Sequence, residues 1–176
     1  MKITLLVATS RDGFINHIGQ KHASDWTSPE DKKQYSERLK RYKLQLMGIR
    51  TFESYEDRFK TSSQYYRIVF THEPSNYTNL PGKVEFTDEP IKEVLHRLEA
   101  AGFKHASLLG GGVVFTEFLE AGLVDEIYQT VEPLTFGEGI PFLVGGLTMK
   151  DFPYLKLESS TPLNNRGTML LHYVRT

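Results

Sequence analysis

The sequence predicts an α/β fold: a mostly parallel mixed sheet flanked by helices, with an antiparallel hairpin at the C-terminal end. Short apolar runs alternate repeatedly with segments of helical spacing, and parallel strands need crossover connections of that kind. Two of the runs end in glycine directly before a helix start. The end of the chain breaks this rhythm, because 154–159 and 168–175 flank a turn containing Asn164, Asn165 and Gly167, the pattern of a hairpin.

Taken in order, Ile3–Ala8 is apolar except for Thr4, which suits a central strand buried on both faces. Asp12-Gly13 supplies a turn, and the polar stretch through Trp26 is a long loop. At 28–42 Ser28 can cap a helix, Pro29 fits its first turn, Asp31 stands three residues past the cap, and Tyr35, Leu39 and Tyr42 recur at helical spacing. Leu44–Met47 reads as a strand breaking at Gly48, and Thr51–Ser54 as the start of a short helix or turn. Tyr66–Phe70 and Val84–Phe86 are strands, with an ordered loop at 71–82 between them. Ile91, Val94, Leu95 and Leu98 share a helix face that ends at Gly102. Ala106–Leu109 leads into three glycines, a helix follows at 112–121, and Ile127–Val131 is the next strand.

At 176 residues the expectation is a single domain spanning 1–176, and 39% hydrophobic against 24% charged residues excludes disorder as the main state. With 21 basic and 22 acidic residues the chain has no electrostatic attraction for nucleic acid, so no nucleic-acid partner is expected. The absence of cysteine excludes disulfides and thiolate catalysis, and fits a cytoplasmic protein. No stretch reaches membrane length, and the histidines at 17, 22, 96, 105 and 172 lack ligand spacing, so neither a membrane partner nor a metal site is expected.

The most informative segment is LLGGGVVFTEFLEAG at 108–122, where an apolar strand meets Gly110, Gly111 and Gly112 before an amphipathic helix. Such a junction either seats a phosphate-bearing cofactor on free helix amides or is simply a tight turn. The segment matches neither GxGxxG nor a P-loop. A second junction, MGIRTFES at 47–54, sets Arg50 and Thr51 beside Gly48, and a guanidinium fork suits the extra phosphate of NADP. Thr71 and His72 follow the strand ending at Phe70, at the carboxyl end where open α/β sheets bind ligands.

MGIRTFES, followed by LLGGGVVFTEFLEAGLVDEIYQT, resembles the dihydrofolate reductase superfamily over nearly the whole chain. The opening ATSRDGFI with SDWTSPED is similar to the branch containing the reductase domain of riboflavin-biosynthesis deaminase-reductases. The resemblance implies a dihydrofolate reductase-like fold and an NADPH-dependent reductase acting on a small molecule, with a homodimer expected by analogy. It implies that Ala8, Ile15 and Gly19 lie on the nicotinamide side, and that Gly48, Arg50, Thr51, Thr71 and His72 meet the phosphates and adenosine. Gly110, Gly111, Gly112, Val113, Val114 and Phe115 would complete the cleft. Arg50 is displaced by one from the arginine that commonly follows the glycine in folate reductases, where Ile49 stands here.

Hydride transfer leaves an atom that needs a proton, and the resemblance makes Asp31 the acid and Thr130 the strand hydroxyl supporting it. Asp31 could equally serve only to complete the Ser-x-x-Asp helix start with Ser28. Trp26, with Ser24, resembles the loop that closes over cofactor and substrate in the riboflavin branch, or is an aromatic plug over the core. Leu109 and Gly110 stand where that branch often carries a Glu, and no deaminase segment accompanies the chain, so a pyrimidine substrate is not implied. The competing class is a nucleotide-binding module that keeps the cleft without catalysis.

Overall fold

The computed structural model describes residues 1–20, 22, 25–60 and 64–176. The strands are β1 (Lys2–Thr9), β2 (Phe14–Asn16), β3 (Leu44–Gly48), β4 (Tyr66–Phe70), β5 (Val84–Thr87), β6 (His105–Leu108), β7 (Glu126–Val131), β8 (Ile140–Pro141), β9 (Leu155–Pro162) and β10 (Met169–Arg175). The helices are α1 (Pro29–Leu39), α2 (Ile49–Lys60), α3 (Ile91–Ala100) and α4 (Gly112–Glu120). One eight-stranded sheet runs in the order β5-β4-β3-β6-β1-β7-β10-β9. The first six strands are parallel, and β10 is antiparallel to both β7 and β9.

Strand β1 lies inside the sheet between β6 and β7, which is why its sequence is apolar on both faces. On one face Ile3, Leu5, Leu44, Leu46, Ile68 and Leu108 pack against Val94 and Leu98 of α3 and Phe115, Phe118 and Leu119 of α4. On the other, Met47 and Val69 pack with Val84, Phe86 and Phe52 of α2. Alternation along each strand produces this division, so polar residues at Gln45, Arg67 and Ser107 fall on the second face.

Two elements differ from expectation. Helix α1 stops at Leu39, because Arg41 and Tyr42 donate to the carbonyls of Arg38 and Leu39 in tight turns rather than continuing the helix. The segment expected as a short helix or turn from Thr51 is instead the 12-residue α2. A small separate sheet pairs β2 with β8, and strands of that length carry too little periodicity to be read from sequence.

Candidate functional site

The carboxyl ends of β1, β3, β4 and β6 open into a cleft of about 1660 Å³ that also reaches the starts of α2 and α4. The two glycine junctions are joined directly: Gly48 N donates to Gly110 O at 2.6 Å. A Cβ at Gly48 would stand 2.9 Å from Val114 Cγ2, so the close approach of α4 depends on that glycine. The Gly110–Gly111 peptide is cis, and Gly110 has φ +128°, a conformation that excludes other residues.

The three consecutive glycines serve different neighbours. A Cβ at Gly111 would meet only Thr51 Oγ1 at 3.5 Å, so this glycine borders the open cleft. At Gly112 a Cβ would run into the Pro141 carbonyl oxygen, so the third glycine admits the β8 backbone rather than a ligand. Gly111 caps α4 without a side-chain hydrogen bond, and neither α4 nor α2 has an acidic residue in its first turn. The first-turn amides of both helices have no intrahelical acceptor, and both helix starts lie at the cleft wall, where they could hold an anion.

Arg50 and Thr51, Thr71 and His72, and Thr87–Glu89 line one arm of the cleft. Arg50 is exposed at the start of α2. Two acids of this arm are engaged elsewhere, Glu53 accepting from the Tyr77 hydroxyl at 2.7 Å and Glu89 pairing with Arg97 at 3.1 Å. A guanidinium, small hydroxyls and two helix starts fit the phosphates of a nicotinamide dinucleotide.

The other arm passes between α1 and α2 and contains Asp31. Ser28 caps α1 by accepting from Asp31 N at 3.2 Å, but the reciprocal bond of a capping box is missing. Ser28 N donates instead to Glu132 Oε1 at 2.7 Å, and Glu132 is itself held by the Thr168 hydroxyl at 2.7 Å. That substitution releases the Asp31 carboxyl from capping. Asp31 is buried and is one of the residues lining the cleft, and Gln34 Nε2 donates to its Oδ1 at 3.0 Å and to Thr130 Oγ1 at 2.9 Å. Burial pushes its pKa up from 3.8, and the repulsion of Glu132 adds to that, against the hydroxyls of Thr130 and Thr27 and the Gln34 amide. A buried acid that holds its proton more tightly than usual is suited to donate one.

The comparisons agree with this architecture. The family model described as RibD C-terminal domain matches residues 1–168. The chain belongs to that family. Uncharacterized protein YwjB of Bacillus subtilis is 27% identical over 192 residues, covering 99% of this chain and 98% of its own. A deaminase and 5-amino-6-(5-phosphoribosylamino)uracil reductase of Thermotoga maritima superposes with a TM-score of 0.79 at 18% identity, over 99% of this chain and 56% of that one. Enterococcus faecalis dihydrofolate reductase, solved with NADP(H), superposes with a TM-score of 0.70 at 22% identity, over 99% and 96%. The fold is that of dihydrofolate reductase, as this RibD-family sequence predicts.

Within that frame the cleft brings together Ala8, Ile15, Asp31, Gly48, Arg50, Thr51, Thr71, His72 and residues 110–115. Thr130 is fully buried and outside the lining, joined to the lining residue Asp31 by Gln34 Nε2, which donates to both. Gly19 and Trp26 are outside its lining: Gly19 sits in a turn with open space around it, and Trp26 packs edge-on against Phe136 at 5.1 Å. Ser24 lies outside the described residues. Sequence reasoning missed Gln45, Arg67 and Glu132. The first two left a signal, a polar residue inside an otherwise apolar strand, whereas Glu132 follows its strand with nothing to mark it. Among the described residues no group of acids and histidines could hold a metal, and no helix is long and apolar enough to cross a membrane.

The loop after β1 is pinned by Asp12, which takes the Ser10 hydroxyl at 2.6 Å and the amides of Phe136 and Gly137 at 3.1 and 2.8 Å. The Ser10 hydroxyl first, then these amides, hold its pKa down at about 2. The stability so contributed is present above 3.8 and is lost as the pH falls toward about 2. Asp12→Ala should therefore speed amide hydrogen exchange at Phe136 and Gly137 roughly tenfold at neutral pH, read by mass spectrometry, with no such increase in β1 or β3.

Proposed function

We propose that the chain is an NADPH-dependent reductase that transfers hydride to a carbon–nitrogen or carbonyl double bond of a small heterocyclic or carbonyl substrate. The observation carrying this reading is Asp31, a buried carboxyl freed from helix capping and placed in the same cleft as two anion-binding helix starts. NADPH, when bound, supplies the hydride. The first-turn amides of α2 and α4 would hold its pyrophosphate, and Arg50 its 2′-phosphate. Asp31 would give its proton to the nitrogen or oxygen of the reducible bond, which with the hydride that NADPH would supply to the neighbouring carbon makes up the two hydrogens gained by the substrate. Gln34 and Thr130 fix the orientation of the acid from behind. The activity printed for the Thermotoga maritima relative and the NADP(H) carried by the Enterococcus faecalis enzyme support the reaction class and the cofactor.

The test is NADPH oxidation at 340 nm (about the usual nicotinamide band) across dihydrofolate, pyrimidine precursors of flavin and simple aldehydes, beside calorimetric titration with NADPH and NADH. Turnover of any of them establishes the reductase, whereas tight dinucleotide binding without turnover would favour a nucleotide-binding module. Arg50→Ala should weaken NADPH by roughly 10-fold to 100-fold, the value of one charge-assisted contact, and leave NADH nearly unchanged. Equal losses for both dinucleotides would remove Arg50 from the 2′-phosphate.

A further inference from the structure

Every second residue at the end of β7 holds a successive turn of α1. The Arg38 guanidinium lies over the Tyr128 ring at 3.6 Å from its centre, Gln34 Nε2 donates to Thr130 Oγ1 at 2.9 Å, and Ser28 N donates to Glu132 Oε1 at 2.7 Å. Alternation along an extended chain puts 128, 130 and 132 on one face, so this row seats the helix that carries Asp31. Glu132 anchors the start of the helix and is only 3% exposed. A carboxylate so buried needs donors on both of its oxygens, and Ser28 satisfies one.

The other donor comes from the turn of the C-terminal hairpin. Met169 of β10 pairs antiparallel with Val131, which brings Thr168 opposite Glu132, and the Thr168 hydroxyl donates to Glu132 Oε2 at 2.7 Å. The oxygen of that buried hydroxyl accepts from Asn164 Nδ2 at 3.0 Å, so its single proton is committed to Glu132. Asn164 Oδ1 shapes the turn by accepting from the amides of Arg166 and Thr168 at 2.9 and 3.2 Å. Its Nδ2 also reaches Glu30 Oε2 at 3.1 Å, on the residue before Asp31. The turn therefore grips the first turn of α1 at two points, although none of its residues lines the cleft.

We propose that Thr168 is a positioning residue for Asp31: its hydroxyl locks Glu132 onto the Ser28 amide and so keeps the acid of the cleft out of the helix cap. The proposal rests on the reductase reading for the chemistry of Asp31, and on hydrogen-bond accounting alone for the lock. Ser28 has one backbone proton, and while Glu132 holds it the Asp31 carboxyl, at capping-box spacing, has no claim on it. Without the Thr168 hydroxyl, Glu132 would keep an open oxygen in a buried place and turn toward other donors. The Ser28 amide would then be free, and Asp31 would close the capping box on it.

The lock is read by nuclear magnetic resonance on the wild type and Thr168→Val, which puts a methyl in place of the hydroxyl. An amide bonded to a carboxyl senses its ionisation, so the Ser28 amide should ignore the titration of Asp31 in the wild type and follow it in Thr168→Val. A carboxylate that accepts a backbone amide is favoured in its charged form, so the acid constant of Asp31, read at its carboxyl carbon, should rise about tenfold in the variant. Glu132 raises the pKa of Asp31 in the wild type, so its withdrawal acts in the same direction, and burial pushes the Tyr35 hydroxyl up, so that group stays neutral throughout. On whichever substrate the wild type reduces, Thr168→Val should lose about tenfold or more in kcat, with the falling limb of kcat/KM at lower pH and NADPH affinity unchanged. Thr168→Ser, which returns the hydroxyl, should restore every reading. A Thr168→Val protein with a lower Tm but a silent Ser28 amide, an unchanged acid constant or wild-type kcat would overturn the proposal and leave Thr168 a structural residue of the hairpin. Should Thr168→Val fail to fold, Glu132→Leu removes the acceptor itself and decides through the Ser28 amide alone. Failure of the wild type to reduce any substrate would instead count against the reductase reading, and the resonance readings would still decide the lock.

Discussion

Asp31→Asn is expected to lower kcat by about 10²-fold to 10⁴-fold, the usual worth of a positioned general acid, while the affinity for NADPH stays within about twofold. The asparagine keeps the backbone amide that Ser28 Oγ accepts and an oxygen for Gln34 Nε2, so the start of α1 should survive. A helix-capping role alone would give the opposite pattern, a stability loss with chemistry spared. The pH dependence separates the two further. Burial raises the folded-state pKa of Asp31 above 3.8, so its stabilising contribution is complete below 3.8 and is lost as the pH rises through the raised value. Burial disfavours the charged form of this carboxyl and asparagine carries no charge, so Asp31→Asn should melt no lower than wild type. In the wild type kcat/KM should fall as the pH rises through the same raised value, and in the variant that limb should disappear. A variant with wild-type turnover, or a drop in Tm without a drop in kcat, would return Asp31 to a structural role.

The legibility of this site in the sequence followed length scale. Strands such as β3 and β4 stood out because several apolar residues recur together, and the glycine junctions because glycine clusters are rare between a strand and a helix. The glycine-lined half of the cleft was readable for the same reason, being made of backbone at the ends of those elements. For Asp31 the spacing left acid and helix cap open. Ser28 and Asp31 have capping-box spacing, and what keeps the Asp31 carboxyl out of the box is Glu132, 104 residues from Ser28, which takes the Ser28 amide. Gln45 and Arg67 meet only through strand register, a relation that spacing along one chain does not express. The β2–β8 pair likewise exists because the backbone at 139–142 is drawn onto the 13–16 segment, with Phe142 N donating to Gly13 O at 2.9 Å.

That last contact gives Gly112→Ala an expected effect as large as any in the chain. The added methyl would meet the Pro141 carbonyl oxygen and approach the Phe142 carbonyl oxygen to 3.3 Å, and both obstacles are backbone. Neither can rotate away like the end of a side chain. The strand β8 is tied on its other side to β2, and Val144 N is held by Thr116 Oγ1 at 3.0 Å while that hydroxyl bonds back to the Gly112 carbonyl at 2.8 Å. Relief must therefore come from displacing the start of α4. Overpacking of this kind costs about 1–3 kcal/mol, which for a chain of this size lowers Tm by about 3–10 °C. Displacement of α4 also moves the amides of its first turn, and losing one charge-assisted bond to a pyrophosphate weakens a dinucleotide by roughly 10-fold to 100-fold. Val113→Ala, one residue further at a 54% exposed position, has no such neighbours and should change both readings little. Calorimetric melting and NADPH titration of the two variants side by side check the argument. If Gly112→Ala melts and binds like Val113→Ala, then the third glycine is dispensable and the coupling of β8 to the anion seat is wrong.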